Sequence, residues 1–151
     1  MNEEKPKNLW KEITATWDGA EGYIAQNKAG ASVLMGKGRG GEPGISPMDM
    51  LLAGLAGCTG MDIISILRKK RQEPSAFQVK VRGNQKVDDY PMPYTEFQVE
   101  YLLWGEELKV KDVEQAIQLS EEKYCSVGVT LSQAGKIHST YRILKPGEKT
   151  E

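Results

Sequence analysis

Apolar positions follow three patterns along the chain. Between Pro47 and Arg71 the sequence PMDMLLAGLAGCTGMDIISILRKKR is apolar on nearly every side of a helical wheel, at Leu51, Leu52, Leu55, Ala56, Ile63, Ile64, Ile66 and Leu67. Ser46 is a preferred N-cap, Pro47 suits the first helical position, and Asp49 sits where a capping-box acid reaches back. The helix is expected to end near Arg71, before Pro74, with Arg68, Lys69, Lys70 and Arg71 complementing its dipole. At 1.5 Å per residue, 46–71 spans roughly 40 Å. A helix apolar on every side is buried on every side. A chain of 151 residues has difficulty enclosing one, so a dimer wrapped around this helix is expected.

The second pattern is strict alternation. Phe77, Val79 and Val81 alternate with Gln78, Lys80 and Arg82. Phe97, Val99, Tyr101 and Leu103 alternate with Glu96, Gln98 and Glu100. These read as strands with one core face and one wet face, joined by a long hairpin connection over 84–94. Residues 136–144 alternate likewise. Residues 10–19, 22–27 and 31–36 form a strand meander punctuated by Gly19, Gly22 and Gly30, followed by a glycine-rich loop over 36–47. The third pattern is amphipathic: Val113, Ala116, Ile117, Ser120 and Tyr124 share one face of a helix from about Lys111 to Tyr124. Strands, helix, strands, helix, strand together predict an α+β fold with mostly antiparallel sheets around a long buried central helix. One domain is expected over 1–151, with 1–9 as a solvated tail.

Composition narrows the function classes. The net charge of −1 leaves no excess of Lys and Arg for a nucleic-acid footprint. The apolar run is interrupted by Asp62 and Ser65 and closes on four basic residues, short of the ~20 apolar residues of a membrane span. MNEEKPKNLW carries no apolar signal region, so a cytoplasmic protein is expected. GKGRGGEPG lacks the Gly-Lys-Ser/Thr ending of a phosphate loop. Trp10, Trp17 and Trp104 are expected to pack on the sheets, and His138 at the surface.

Cys58 and Cys125 remain as the carriers of chemistry. In a reducing compartment they are not expected to be a structural staple. With a single His they have no metal-ligand spacing, and neither a metal nor a cofactor is expected. Gly54, Gly57 and Gly60 surround Cys58, and each costs about 1 kcal/mol in a helix interior. They imply close approach of another backbone or a substrate, or else tight helix packing with Cys58 as a small hydrophobe. Cys125 lies at a break, YCSVGV. Carbonyls ending one helix would raise its thiol pKa, and amides starting another would lower it.

SPMDMLLAGLAGCTGMDIISILRKKR resembles the central helix of the OsmC/Ohr family, the osmotically induced and organic hydroperoxide resistance proteins. KYCSV followed by TL resembles that family's second cysteine motif. The resemblance spans nearly the whole chain. It implies an intertwined homodimer with two active sites at its interface, a thiol peroxidase reducing organic hydroperoxides, Cys58 as the peroxidatic cysteine and Cys125 as the resolving one. A sulfenic acid at the first sulfur would condense with the second to a disulfide, and an external dithiol would restore both.

Three positions depart from the family pattern. The family Glu falls on Met48. Asp49 is adjacent, but nine residues from Cys58 place it on the opposite side of the helix and ~13 Å along the axis. It could act only through a dimer partner or after a helix break. The family Arg has no match in TWDGAEGY, and Arg39 is the nearest substitute. Ser126 stands where a Pro is frequent. These departures keep a second reading open: an OsmC-like protein that binds a small apolar or acyl ligand, or senses redox state, without efficient turnover.

Overall fold

The computed structural model describes residues 8–150. Most of the expected tail, residues 1–7, lies outside them. The chain divides into two compact units, one up to Met50 and one from Leu51 onward.

In the N-terminal unit β1 (Ile13–Trp17), β2 (Glu21–Asn27) and β3 (Ser32–Lys37) form the expected antiparallel meander. Asp18 builds the first turn: its Oδ1 accepts from the amides of Ala20 and Gly22 at 2.8 and 3.2 Å. Gly22 is required there, because a Cβ would stand 2.6 Å from Asp18 Oδ2 and 2.7 Å from the Lys37 carbonyl. Within one chain this sheet is open. Ile13, Tyr23 and Ile24 are exposed, and so are Trp10 and Trp17, which corrects their assignment to sheet packing. Trp104 does pack, buried, with its indole N–H donating to the Glu148 carbonyl at 2.7 Å.

Helix α1 runs unbroken over Pro47–Lys69. Ser46 Oγ accepts from the Asp49 amide at 3.0 Å, as the N-cap expectation requires. The other end closes with Gln72 N–H on the Leu67 carbonyl and Arg71 N–H on the Arg68 carbonyl, at 2.8 and 3.0 Å. That is a Schellman pattern with Arg71 in the left-handed position (φ 56°) that glycine usually takes. By length and composition alone α1 is long and apolar enough to cross a membrane, a test that the core helix of a soluble protein also passes. Its buried residues, Leu55, Thr59, Ile63 and Leu67, recur every four positions as on a core helix. One chain does not enclose α1 on every side: Leu51 is 43% exposed and Met61 78%. Nor does a neighbouring backbone crowd the three glycines. A Cβ at Gly57 would meet nothing within 4 Å, and at Gly54 and Gly60 only side chains at ordinary contact distance.

The C-terminal unit holds the sheet β4 (Ala76–Gln85), β5 (Tyr94–Trp104) and β6 (Lys136–Leu144), with β5 central. β4 alternates half-buried and exposed residues along its length, as its sequence predicts. β5 becomes buried on both faces from Tyr101 to Trp104. The β4–β5 pair is antiparallel, with the Tyr94 ring so close to Gly83 that a Cβ there would lie 2.5 Å from it. β5 and β6 are parallel, against the antiparallel tendency of the rest. The connection explains this, since two helices lie between them and a crossover of that length returns a strand in parallel. These are α2 (Val110–Leu119) and α3 (Ser126–Ser132), joined by a π-helical turn over Ser120–Tyr124. The basic run ending α1 is a surface charge cluster, pairing Arg68 with Glu73 and Lys70 with Asp112 and Gln115.

Candidate active site

The second amphipathic helix continues its expected face only as far as Ser120. Val113, Ala116, Ile117 and Ser120 are buried. There the ladder widens by one residue, and the Cys125 amide donates to the Ser120 carbonyl at 2.8 Å, five residues back. That extra residue rotates the chain. Tyr124, four past Ser120 and expected on the buried face, is 49% exposed, while Cys125, five past it, is buried at 1% exposure. Cys125 then caps α3, its Sγ accepting from the Gly128 amide at 3.2 Å. Of the two alternatives the sequence left open at Cys125, the structure has both: a helix end before it and a short helix after it.

Cys58 comes from α1 and is half-buried. Asp62, one turn further on, lies on the same helix face. The two Sγ atoms and a carboxylate oxygen of Asp62 all lie within 4.8 Å of one another. Ser120 Oγ, fully buried, donates to Asp62 Oδ2 at 3.0 Å and fixes the carboxylate. Burial pushes the Cys125 thiol up to about 12. Its hydrogen bond with Cys58 and the Asp62 charge add to that, and the Gly128 amide only partly offsets it.

Beside Cys125 opens a cleft of about 220 Å³, lined by Leu55, Thr59, Val99, Tyr101, Cys125 and Ile137 among others. The Tyr101 hydroxyl donates to Glu121 Oε1 at 3.3 Å. Burial, and then the Glu121 charge, raise its pKa, so the phenol stays protonated as a donor. The cleft is largely apolar, with that polar pair at its wall.

Of the four residues singled out in the sequence, Cys58 and Cys125 are brought together within the C-terminal unit. Arg39 and Asp49 belong to the N-terminal unit. Asp49 occupies the first turn of α1, and the helix break that would free it does not occur. Arg39 is exposed in the turn closed by the Gly38 amide on the Glu42 carbonyl at 2.8 Å. Sequence reasoning missed the roles of Asp62 and Ser120. The signals were present: Asp62 is four residues past Cys58, and Ser120 is a polar residue on an apolar helix face.

The model of the OsmC-like protein family matches residues 38–140, a span containing both cysteines and Asp62. The chain belongs to the OsmC family. Protein YhfA of Escherichia coli is 33% identical over 122 residues, 81% of this chain and 90% of that one. The crystal structure of a hypothetical protein from Aquifex aeolicus superposes with a TM-score of 0.79 at 27% identity, over 94% of this chain and all of that one. An organic hydroperoxide resistance protein OsmC from Legionella pneumophila shares the fold, with a TM-score of 0.63 at 14% identity over 89% and 98% of the two chains. The OsmC fold, α+β with two three-stranded sheets and a long helix, is thus the fold of this chain.

Proposed function

We propose that the protein is a thiol peroxidase that reduces organic hydroperoxides through Cys58 and Cys125. The observation that carries this reading is the pairing of two free thiols of unequal exposure, with sulfurs within 4.8 Å. Cys58, half-buried, is the sulfur a peroxide can reach, and Cys125, buried beside it, is the one that follows. The Cys58 thiolate attacks the hydroperoxide oxygen, the O–O bond breaks, and the alcohol leaves with a sulfenic acid formed at Cys58. The Cys125 thiol displaces hydroxide from that sulfenic acid, giving a disulfide and water. An external dithiol then reduces the disulfide and is itself oxidised. For the disulfide to form, the sulfurs close from within 4.8 Å to a bonding distance of about 2.05 Å. The apolar surface of α1 around Cys58, with Leu51 and Met61 exposed, favours bulky alkyl peroxides over hydrogen peroxide, at ~25 cal/mol per Å² of apolar surface buried. The name of the Legionella relative supports the substrate class. Stopped-flow oxidation with an alkyl hydroperoxide tests it: a rate well above that of a free thiol is expected, and one no faster rejects it.

A second copy of the chain is the partner in this reading. Leu51 and Met61 on α1 and Trp10, Ile13, Trp17 and Ile24 in the N-terminal unit leave apolar surface exposed. Sedimentation at micromolar concentration should give twice the 16.8 kDa chain mass, and a stable monomer would contradict it. A reducing cytoplasm would supply the dithiol.

The cleft also supports a second reading, binding of a small apolar or acyl ligand without turnover. Burial and the Asp62 charge hold Cys125 protonated, which suits a ligand pocket as well as a resolving thiol. Saturable binding of a fatty-acyl probe, with thiol oxidation no faster than that of free cysteine, would favour it.

A further inference from the structure

The peroxidase chemistry uses two sulfurs and assigns Asp62 no part. Yet Asp62 places a carboxylate oxygen within 4.8 Å of both sulfurs. It is held there by a serine with no exposed surface. Three groups able to carry negative charge therefore converge at one place in the C-terminal unit.

We propose that Cys58, Asp62 and Cys125 form a binding site for a borderline-soft divalent cation of the zinc type, taking two thiolates and one carboxylate oxygen and leaving a fourth position open. The dimensions fit. Zinc binds sulfur at about 2.3 Å and carboxylate oxygen at about 2.0–2.2 Å in a tetrahedron. Those bonds set sulfur–sulfur separations of about 3.8 Å and sulfur–oxygen separations of about 3.5 Å. The three atoms, already within 4.8 Å of one another, need adjustments of about 1 Å. Cys58 and Asp62 are spaced i,i+4 on α1, the spacing by which one helix face presents two ligands to one ion. Cys125 is delivered by the π-helical turn. Ser120 supplies the outer support that metal-binding carboxylates normally have, accepting no charge itself and fixing the orientation of Asp62.

A divalent ion draws the three converging groups together, and a coordinated thiol loses its proton outright. Binding is then balanced: one hydrated cation and two thiols give the bound ion and two released protons, with no change of oxidation state. Spacing along the chain argued against zinc because the ligands are not clustered in sequence, but the fold brings together what the sequence separates. If the peroxidase reading holds, the ion also holds both sulfurs reduced and blocks the disulfide. The binding itself does not depend on that reading.

The test uses the full chain, reduced and stripped of metal by a chelator. Zinc is titrated in competition with a chromophoric chelator, and cobalt(II) is added separately as a spectroscopic probe. We expect one ion per chain, two protons released in weak buffer, and a thiolate-to-cobalt charge-transfer band with the intense visible absorption of a four-coordinate site. Cys58→Ser and Cys125→Ser should each lose binding by 100-fold or more. Asp62→Asn should weaken it about tenfold, and Ser120→Ala by a similar factor. No charge-transfer band in the wild-type chain, or binding that survives in the double cysteine variant, overturns the proposal without relying on any variant's fold. Unchanged affinity in a folded Asp62→Asn variant overturns the three-ligand site and leaves a bare dithiol. None of these readouts involves peroxide, so their failure is separate from failure of the peroxidase reading.

Discussion

Ser120 is the residue through which the second helix reports on the site, and removing its hydroxyl gives a sharp prediction. Ser120→Ala deletes one atom from a position with no exposed surface, so no water can enter to replace it without rearrangement. The lost bond is the 3.0 Å donation to Asp62 Oδ2. Hydrogen bonds to charged groups contribute about 1.5–3 kcal/mol. Asp62 is half-buried and keeps some contact with solvent, so the lower end applies, about 1.5 kcal/mol. For a chain of this size each kcal/mol moves Tm by about 2–4 °C, giving a fall of about 3–6 °C. The assay is thermal and urea unfolding of the reduced protein at one fixed protein concentration, since association would itself shift Tm. Asp62→Ala and the double variant complete a cycle. If the pair interacts as the structure shows, the coupling energy is about 1–1.5 kcal/mol and Ser120→Ala has little further effect once Asp62 is gone. A Ser120→Ala cost within about 0.3 kcal/mol of zero, or additive single variants, would refute the reasoning.

Further expectations concern the cysteines and the end of α1. The Cys125 thiol is pushed up to about 12, above its unfolded value, so the unfolded chain loses that proton first as pH rises. The stability this group contributes is intact below the ordinary thiol pKa and falls between about pH 9 and 12. Unfolding midpoints across that range should drop more steeply for the wild type than for Cys125→Ala, and parallel curves would contradict it. Iodoacetamide under native conditions should label Cys58 well before Cys125, because only Cys58 is accessible; peptide mapping that finds Cys125 labelled first would overturn the assigned roles. Arg71 closes α1 at φ 56°, where a side chain costs roughly 1 kcal/mol. Arg71→Gly should therefore raise the urea midpoint by the equivalent of about 0.5–1 kcal/mol, and a fall would show that Arg71 contributes a contact the helix end needs.

Local rules made much of the fold legible. Ser46, Pro47 and the basic last turn placed both ends of α1 within a residue or two, and alternation placed β4, β5 and β6, because each signal acts within a few positions of chain. Long-range terms were not legible in the same way. The parallel β5–β6 pairing depends on the path of a whole crossover, not on any residue in either strand. The π-helical turn at Ser120–Tyr124 has no marker in period-3.6 counting, and it is the feature that exchanges Tyr124 for Cys125 on the buried face. At the site, the cysteines stood out because they are rare. Asp62 and Ser120 did not, since a carboxylate and a hydroxyl on separate helices acquire meaning only when the fold joins them. For α1 a helical wheel shows which positions are apolar, not how much of that surface one chain covers, and Leu51 and Met61 stay exposed within one chain.

The central claim is that Cys58 and Cys125 of one chain act as a redox pair. Reduced protein treated with one equivalent of an alkyl hydroperoxide should lose two thiols per chain, release one equivalent of the alcohol, and yield a single intrachain Cys58–Cys125 disulfide by non-reducing peptide mapping. Treatment with a dithiol should then restore both thiols. Thiols that persist, a sulfinic acid at Cys58 with Cys125 untouched, or a disulfide found only between chains would each contradict it.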